Sequence, residues 1–360
     1  MFGILQTLIL FMSLIKYYKY GYSTKISPFS YTSYQGELSK FFREVDCPKD
    51  ADFILFSYIN DIHEDFSGFL SVKQDKPVIL VSEEPVWDNS WSTFIRSDKG
   101  DYIARDEGDD TLYFHYHIIN HKFTDIFEYK YIPYFLTTDQ VYLKNYEFYL
   151  NLLNRIDFDK IYKNKTYDVT GLYYRKTPPE PNQFDFSKDP TGLCLNGLKD
   201  KLADYLVATP ELNCDFFGRG NKELGSLTEE TIYTGNSFHR NKLDWCFKNA
   251  KFLLALENTI EYNYLTEKIF DSVLSLSVPI FYDSNNSHNF LGINIAELEP
   301  NNQCEVNKFC LDSVNSLDAL NILNHNYSIA SEFFIDWPDK LDFEIKLRAK
   351  KLYKVISNFL

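Results

Sequence analysis

The stretch that decides the fold is "KFLLALENTIEYNYLTEKIFDSVLSLSVPIFYD", Lys251 to Asp283. Its opening "KFLLALEN" (Lys251–Asn258) is an apolar run of strand length, "TEKIFDSVLSL" (Thr266–Leu276) carries apolar residues at helical spacing, and "VPIFYD" (Val278–Asp283) is a second apolar run. Strand, helix and strand in close succession are the signature of a parallel sheet covered by helices. Between the first strand and the helix lies a crowd of chemistry, "ENTIEYNYLTEK" (Glu257–Lys268), where a plain connection needs only a turn and a cap.

Thr266 suits the N-cap position, and Glu267 in the first turn suits the positive end of the helix dipole. Lys268 does not. An ammonium at a helix start opposes the dipole at a cost of about 0.3 kcal/mol, unless an anion is shared by that ammonium and the open backbone N–H groups. A diphosphate resolves the conflict. Glu267 then remains to accept hydrogen bonds from vicinal hydroxyls such as those of a ribose. Asn258 and Tyr264 stand ready to hydrogen-bond or stack on the rest of a nucleotide. A solvated first turn beside a packed aromatic is the competing structural reading of the same residues.

Working outward, "DFILFSYI" (Asp52–Ile59), "KPVILVSEEP" (Lys76–Pro85) and "EYKYIPYF" (Glu128–Phe135) read as strands, and the charged "RSDKGDYIARDEGDD" (Arg96–Asp110) as a solvated loop. A helix is expected over Asp139–Ile156 and a boundary over Asp157–Lys165. A new series follows: a strand over Thr166–Tyr174, a Pro-rich loop at 176–183, a helix over Leu195–Leu206, a strand running into a glycine turn over Asn213–Asn221, and a helix at "LDWCFKNA". The apolar run 1–15, "MFGILQTLILFMSLI", is read first as a buried strand, against an interfacial anchor helped by Lys16 and Lys19 and a signal-anchor. Two doubly wound α/β domains are expected, residues 1–160 and 161–335, followed by a helical tail, 336–360, that caps the second domain or crosses back to the first. Two such sheets face to face would form a cleft lined by strand ends.

A chain of 360 residues, 44% hydrophobic, is long enough for two cores. A net charge of −14 and a pI near 5.0 argue against a nucleic-acid partner, so any anionic ligand must be met locally. The six cysteines show no CxxC and no zinc spacing, which favours reduced thiols, although Cys304 and Cys310 are near enough to bridge in an oxidising compartment. Tripeptides beginning at Asn164, Asn285 and Asn326 match the glycosylation pattern. With no clear leader, the expected location is the cytoplasm, with peripheral contact at the inner membrane where lipid-linked glycans and lipopolysaccharide are built. A signal-anchored Golgi or secretory location is the alternative.

The ordered match Leu256-Glu257-Asn258-Thr259, Tyr264-Leu265-Thr266-Glu267-Lys268, Val278-Pro279-Ile280 resembles the donor-binding signature of the α1,3-fucosyltransferases, glycosyltransferase family 10. "DFFGRG" (Asp215–Gly220) resembles the family's Asp-x-Tyr-Gly-Arg element, and "EEP" (Glu83–Pro85) its Glu-Ser-Pro segment. The resemblance implies a GT-B fold, two Rossmann-like domains facing a central cleft, and transfer of L-fucose from the donor GDP-fucose to a glycan acceptor through an α1,3-type linkage. It makes Lys268 a diphosphate ligand, Glu267 a ribose ligand, and Asn258 and Tyr264 donor contacts. The family also sets an arginine on the diphosphate. Here "VTGLYYR" offers Arg175 without the family's Ser-Asn-Cys pattern, with Arg219, Lys199 and Lys201 as substitutes.

In an inverting transfer a carboxylate takes the acceptor's proton while cations stabilise the departing diphosphate. Glu83, with Glu84 next to it, is the expected base at the end of "PVILVS"; neighbours on a strand face opposite ways, so one of the two serves. No metal or other cofactor is expected. Asp157–Asp159 has the Asp-x-Asp form of metal-dependent transferases but lies at the boundary, and His115, His117 and His121 cannot all share one face of a regular element. Two alternatives stay open: a transferase of the same architecture with another nucleotide-sugar, and a catalytically silent glycan-binding relative.

Overall fold

The computed structural model describes residues 14–84, 99–105, 111–138, 140–173, 175, 195–218, 221, 237–261, 263–282, 292–297, 308, 312 and 317–360. By contacts the chain divides into Met1–Glu128 with Asp342–Leu360, and Tyr129–Leu341. Each unit is an α/β body built on its own sheet.

In the first unit, β1 (Ile15–Lys19), β2 (Phe42–Glu44), β3 (Phe53–Phe56), β4 (Val78–Val81), β5 (Lys99–Arg105) and β6 (Thr111–Ile119) form a sheet in the order β2-β1-β3-β4-β6-β5. All neighbours are parallel except β5 and β6. β3, "FILF", and β4, "VILV", are buried at every position, as strands covered on both faces must be. Their side chains meet Ile59 and Ile62 of α2 (Ile59–Glu64), Phe69 of α3 (Phe66–Lys73) and Ile118 of β6. The C-terminal helix, Trp337–Phe359, adds Arg348, Leu352 and Ile356 to this core from Asp342 onward.

Several expectations change here. The first strand begins at Ile15, where the apolar run ends; residues 1–13 lie outside those described. "IKYYK" looks too polar for a sheet centre, yet it pairs with both β2 and β3 and buries Tyr17 against Phe29 and Phe53. The charged segment expected to be a loop contains β5, paired from Lys99↔His117 to Arg105↔Thr111. It is the edge strand, where charged residues are tolerated and discourage further pairing. Glu128–Phe135 is no strand. Pro133 lacks the N–H a ladder needs, and the backbone turns into one helical turn, Phe135–Thr138.

The second unit carries β7 (Tyr167–Leu172), β8 (Cys214–Phe217), β9 (Ala250–Leu254), β10 (Val278–Phe281) and β11 (Ala296–Glu297) in the order β11-β10-β9-β7-β8, all parallel. Helices α4 (Gln140–Leu153), α5 (Phe158–Lys163), α6 (Asn196–Val207), α7 (Ser237–Asn249), α8 (Glu267–Leu274) and α9 (Leu317–Phe333) belong to it. The chain runs from β7 out to β8, then returns to β9 on the other side of β7, so strand order reverses between β7 and β9. Ligands of open parallel sheets bind at the carboxyl ends of such strands. The division falls at 128/129 rather than 160/161, because α4 packs on α7 and α8 through Tyr146 and Tyr149. Residues 342–360 of the expected tail join the first unit.

Among the described residues, no helix is long and apolar enough to cross a membrane. Cys47, Cys214 and Cys246 are free thiols, and the loop 176–183 lies outside the described residues.

Candidate functional site

A pocket opens in the second unit at the ends of β7 and β9, where the strand order reverses. Leu172 and Tyr173 from the end of β7 and Leu253–Leu256 from β9 form its apolar floor. Its charged wall is Lys199 from α6, Lys242 from α7, and Glu267 and Lys268 from the first turn of α8. Among the described residues the charged side chains lining it are these three lysines and one glutamate.

Two buried carboxylates hold two of these lysines, Lys268 and Lys242. Glu257, 2% exposed, accepts the Thr266 N–H at 2.7 Å, the Thr266 hydroxyl at 2.7 to 2.9 Å, and the Lys268 ammonium at 2.9 Å. Thr266 thus stands at the N-cap of α8 without capping it: its hydroxyl bonds Glu257 rather than a backbone N–H of the first turn. The anion that tolerates Lys268 at a helix start is supplied within the chain by Glu257, at the end of the strand-like run before the helix. Burial alone would depress the Lys268 pKa; Glu257 and Glu267 outweigh it and hold the ammonium above its ordinary value.

The second anchor is Asp271, wholly buried on α8. Its Oδ2 lies 2.7 Å from Lys242 Nζ, while its Oδ1 accepts from the Tyr146 hydroxyl at 2.7 Å and from His239 Nε2 at 2.8 Å. Asn145 Nδ2 reaches His239 Nδ1 at 2.9 Å. Burial pushes the Asp271 carboxyl up, but Lys242 and His239 hold it well below the usual carboxylate range. Glu267 Oε1 stands 3.7 Å from Lys242 Nζ and 3.8 Å from Lys268 Nζ. Against the upward push of burial, those two ammonium groups bring its pKa down to about 2.

In the first unit Glu83 lies two residues beyond the end of β4. The Tyr31 hydroxyl, at the N-cap of α1 (Thr32–Leu38), donates to Glu83 Oε1. Burial is the main reason the Glu83 pKa rises to about 8; the Tyr31 bond and Arg348 oppose that rise, and Glu84 adds to it. The Glu84 backbone N–H donates to Ser82 Oγ at 3.2 Å.

The expected donor residues fare unequally. Glu267 and Lys268 line the pocket; Asn258 is not among the lining residues, but its Oδ1 accepts from the lining Lys199 Nζ at 2.6 Å. Tyr264 is 6% exposed, stacked on Tyr134 with centroids 6.3 Å apart, and is not among the pocket-lining residues. Arg175 does not reach the pocket: its guanidinium donates to Asp204 and lies 4.0 Å from Asp200, both on α6. Of the substitutes, Lys199 lines the pocket, Lys201 is exposed on α6, and Arg219 lies outside the described residues. Lys242, Asp271 and His239 escaped the sequence reading. Their signal was present, since His239, Lys242 and Cys246 recur on one face of α7 and Asp271 interrupts the apolar run "IFDSVL".

The remaining candidates have structural partners. Asp157 caps α5 by accepting from the Lys160 N–H at 3.2 Å, and Asp159 pairs with Lys163 at 2.7 Å. His117 stacks on Phe359 and His121 on Phe127, while His115 lies on β6.

Residues 198–356 match the sequence model of "Glycosyltransferase family 10 (fucosyltransferase) C-term", a span that holds Lys199, Lys242, Glu257, Glu267 and Lys268. The chain is similar to a solved structure described as "Crystal Structure of alpha1,3-Fucosyltransferase" at 13% identity, over 92% of this chain and 91% of that one, with a TM-score of 0.44. The forms "with GDP-fucose" and "with GDP" each give 13% identity over 91% and 90% of the two chains, with TM-scores of 0.42 and 0.40. Likenesses at that level carry no argument of their own. A comparison of the sequence with curated proteins returns no match. The family's sequence model runs from α6 to the C-terminal helix with the strand–helix–strand unit in its midst, so this part of the chain, residues 198–356, is similar to the C-terminal domain of glycosyltransferase family 10.

Proposed function

We propose that this enzyme transfers L-fucose from GDP-fucose to a hydroxyl of a glycan acceptor, with inversion at the sugar carbon and an α1,3-type linkage. The observation that carries the donor half is the pocket at the β7/β9 switch point, whose wall, among the described residues, carries Lys199, Lys242, Lys268 and the carboxylate of Glu267. A nucleoside diphosphate fits it: ammonium groups neutralise the phosphates, and Glu267, held ionised, accepts from ribose hydroxyls. As the bond to the sugar breaks, the same lysines stabilise the charge that grows on the leaving diphosphate. Three cations supply that stabilisation without a metal ion, which is why we assign none.

For the acceptor half we propose Glu83 as the general base. A carboxylate with a pKa near 8 binds a proton strongly enough to draw it from a sugar hydroxyl and is still ionised in an appreciable fraction at neutral pH. The chain's acidic balance suits a neutral acceptor. We place the enzyme in the cytoplasm, in peripheral contact with the inner membrane, and fractionation into a lumenal or integral membrane pool would refute that.

The test is a panel of GDP-sugars and UDP-sugars read by thermal shift and by donor turnover, with and without EDTA. Stabilisation by GDP-fucose that survives chelation, together with fucose transfer to a glycan, is expected. Preference for another nucleotide-sugar refutes the donor assignment, and a strict metal requirement refutes the metal-free reading.

A further inference from the structure

We propose that Lys242 is a phosphate-contacting cation of the donor pocket, and that Asp271, with His239 and Tyr146 behind it, is the positioning group that fixes its ammonium at the pocket wall. The inference rests on reading the pocket as a nucleoside-diphosphate site.

Lys242 comes from α7, a different element from the first turn of α8, yet both contribute to one wall. A lysine whose side chain is 12% exposed has lost most of its hydration, and such a group persists only with a fixed partner. Asp271 is that partner at 2.7 Å. The donors on its other oxygen, Tyr146 from α4 and His239 from α7, arrive from two helices, so the carboxylate has no freedom to turn away. An ion pair that served folding alone would be complete at this point. Instead the ammonium also lines the pocket and stands 3.7 Å from Glu267 Oε1, whose opposite flank holds Lys268 at 3.8 Å. The design is repeated: Glu257 is to Lys268 what Asp271 is to Lys242, a buried carboxylate behind a lysine at the wall. Two lysines presented side by side from separate elements match two linked phosphate groups.

The experiment compares GDP, by isothermal titration, with guanosine, by ligand-observed NMR titration, on the wild-type chain, K242M, K242R and D271N. K242M is expected to bind GDP about 10- to 100-fold more weakly while guanosine binding stays within about twofold, because only the phosphate contact is lost. K242R, which keeps the charge, should recover part of the loss, and D271N should weaken GDP and spare guanosine in the same way. Unchanged GDP affinity in folded K242M, or equal losses for GDP and guanosine, overturns the proposal. If K242M does not fold, acylation of the wild-type protein decides: protection of Lys242 by GDP but not by guanosine supports the contact, and unaltered labelling refutes it. Wild-type protein that binds neither ligand would instead sink the reading of the pocket itself, a failure distinct from loss of the Lys242 contact.

Discussion

Glu257 explains both the oddity and the opportunity of Lys268. The buried carboxylate takes four of its short contacts from Thr266 and Lys268, so the ammonium is held at the pocket wall before any ligand arrives. Lys268→Ala is therefore expected to weaken GDP binding by about tenfold or more in calorimetric titration. Undiminished affinity in the folded variant removes Lys268 from the donor site. Glu257→Gln should lower the free energy of unfolding in urea by about 1–3 kcal/mol, because a neutral amide cannot satisfy both the ammonium and the threonine. Glu83 makes the prediction in pH. As the base, it should give a rate that climbs with pH and levels above about 8; Tyr31→Phe should move that inflection upward, since the tyrosine bond favours the ionised form. Stability runs the opposite way. From its ordinary value of 4.5 up to about 8, the folded state keeps a proton the unfolded state has released, so stability falls as pH rises across that window. Chemical denaturation of Glu83→Gln should show a flatter profile there.

At the scale of elements, the pocket depends on how β7, β9, α7 and α8 are tied together. Lys165, just before β7, is 5% exposed and donates to the carbonyls of Ala250 at 2.7 Å, Ser275 at 2.8 Å and Cys246 at 3.4 Å. One side chain thereby satisfies the trailing ends of α7 and α8, whose last carbonyls have no partner within their own helices. Lys165→Met should cost about 1–3 kcal/mol in urea unfolding, as the buried bonds to three carbonyls are lost and only the Ser277 hydroxyl, already bonded to Ala250 at 2.7 Å, is left to donate among them. The turn after β8 is equally constrained. Gly218 has φ +117°, and a Cβ added there would lie 2.5 Å from the Tyr173 carbonyl oxygen, so Gly218→Ala must displace backbone beside a residue of the pocket floor. A loss of about 1–3 kcal/mol and weaker GDP binding together are expected; a loss of stability without an effect on binding would uncouple this turn from the site.

On the scale of the whole molecule, the C-terminal helix begins among the residues of the second unit and ends as part of the first unit's core. Arg348, 1% exposed, donates to the Ile126 carbonyl at 3.1 Å and to the Tyr34 hydroxyl, and Tyr353 stacks on Phe41 at 4.9 Å. Removing residues 336–360 should therefore expose the first unit to rapid proteolysis, whereas a dispensable tail would leave the digestion pattern unchanged. That dependence was invisible in the sequence, which shows an amphipathic helix but not the face it covers. The strands β3, β4, β9 and β10 were legible because parallel strands buried on both faces read as unbroken apolar runs. α8 was legible by its spacing, and the order of Glu257, Thr266, Glu267 and Lys268 pointed to the place where Glu267 and Lys268 line a pocket. The charged β5 was not legible, because an edge strand owes its existence to its neighbour rather than to its own composition. By itself the sequence determined the α/β class, the strand–helix–strand unit and the identity of half the pocket wall, all properties of residues near one another in the chain. Only the tertiary structure decided that Asp271 meets Lys242 and His239, that Glu257 supplies the anion Lys268 needs, that Arg175 turns to α6, and where the units divide. Each of those outcomes depends on which distant side chain shares a buried charge, and no local pattern encodes that.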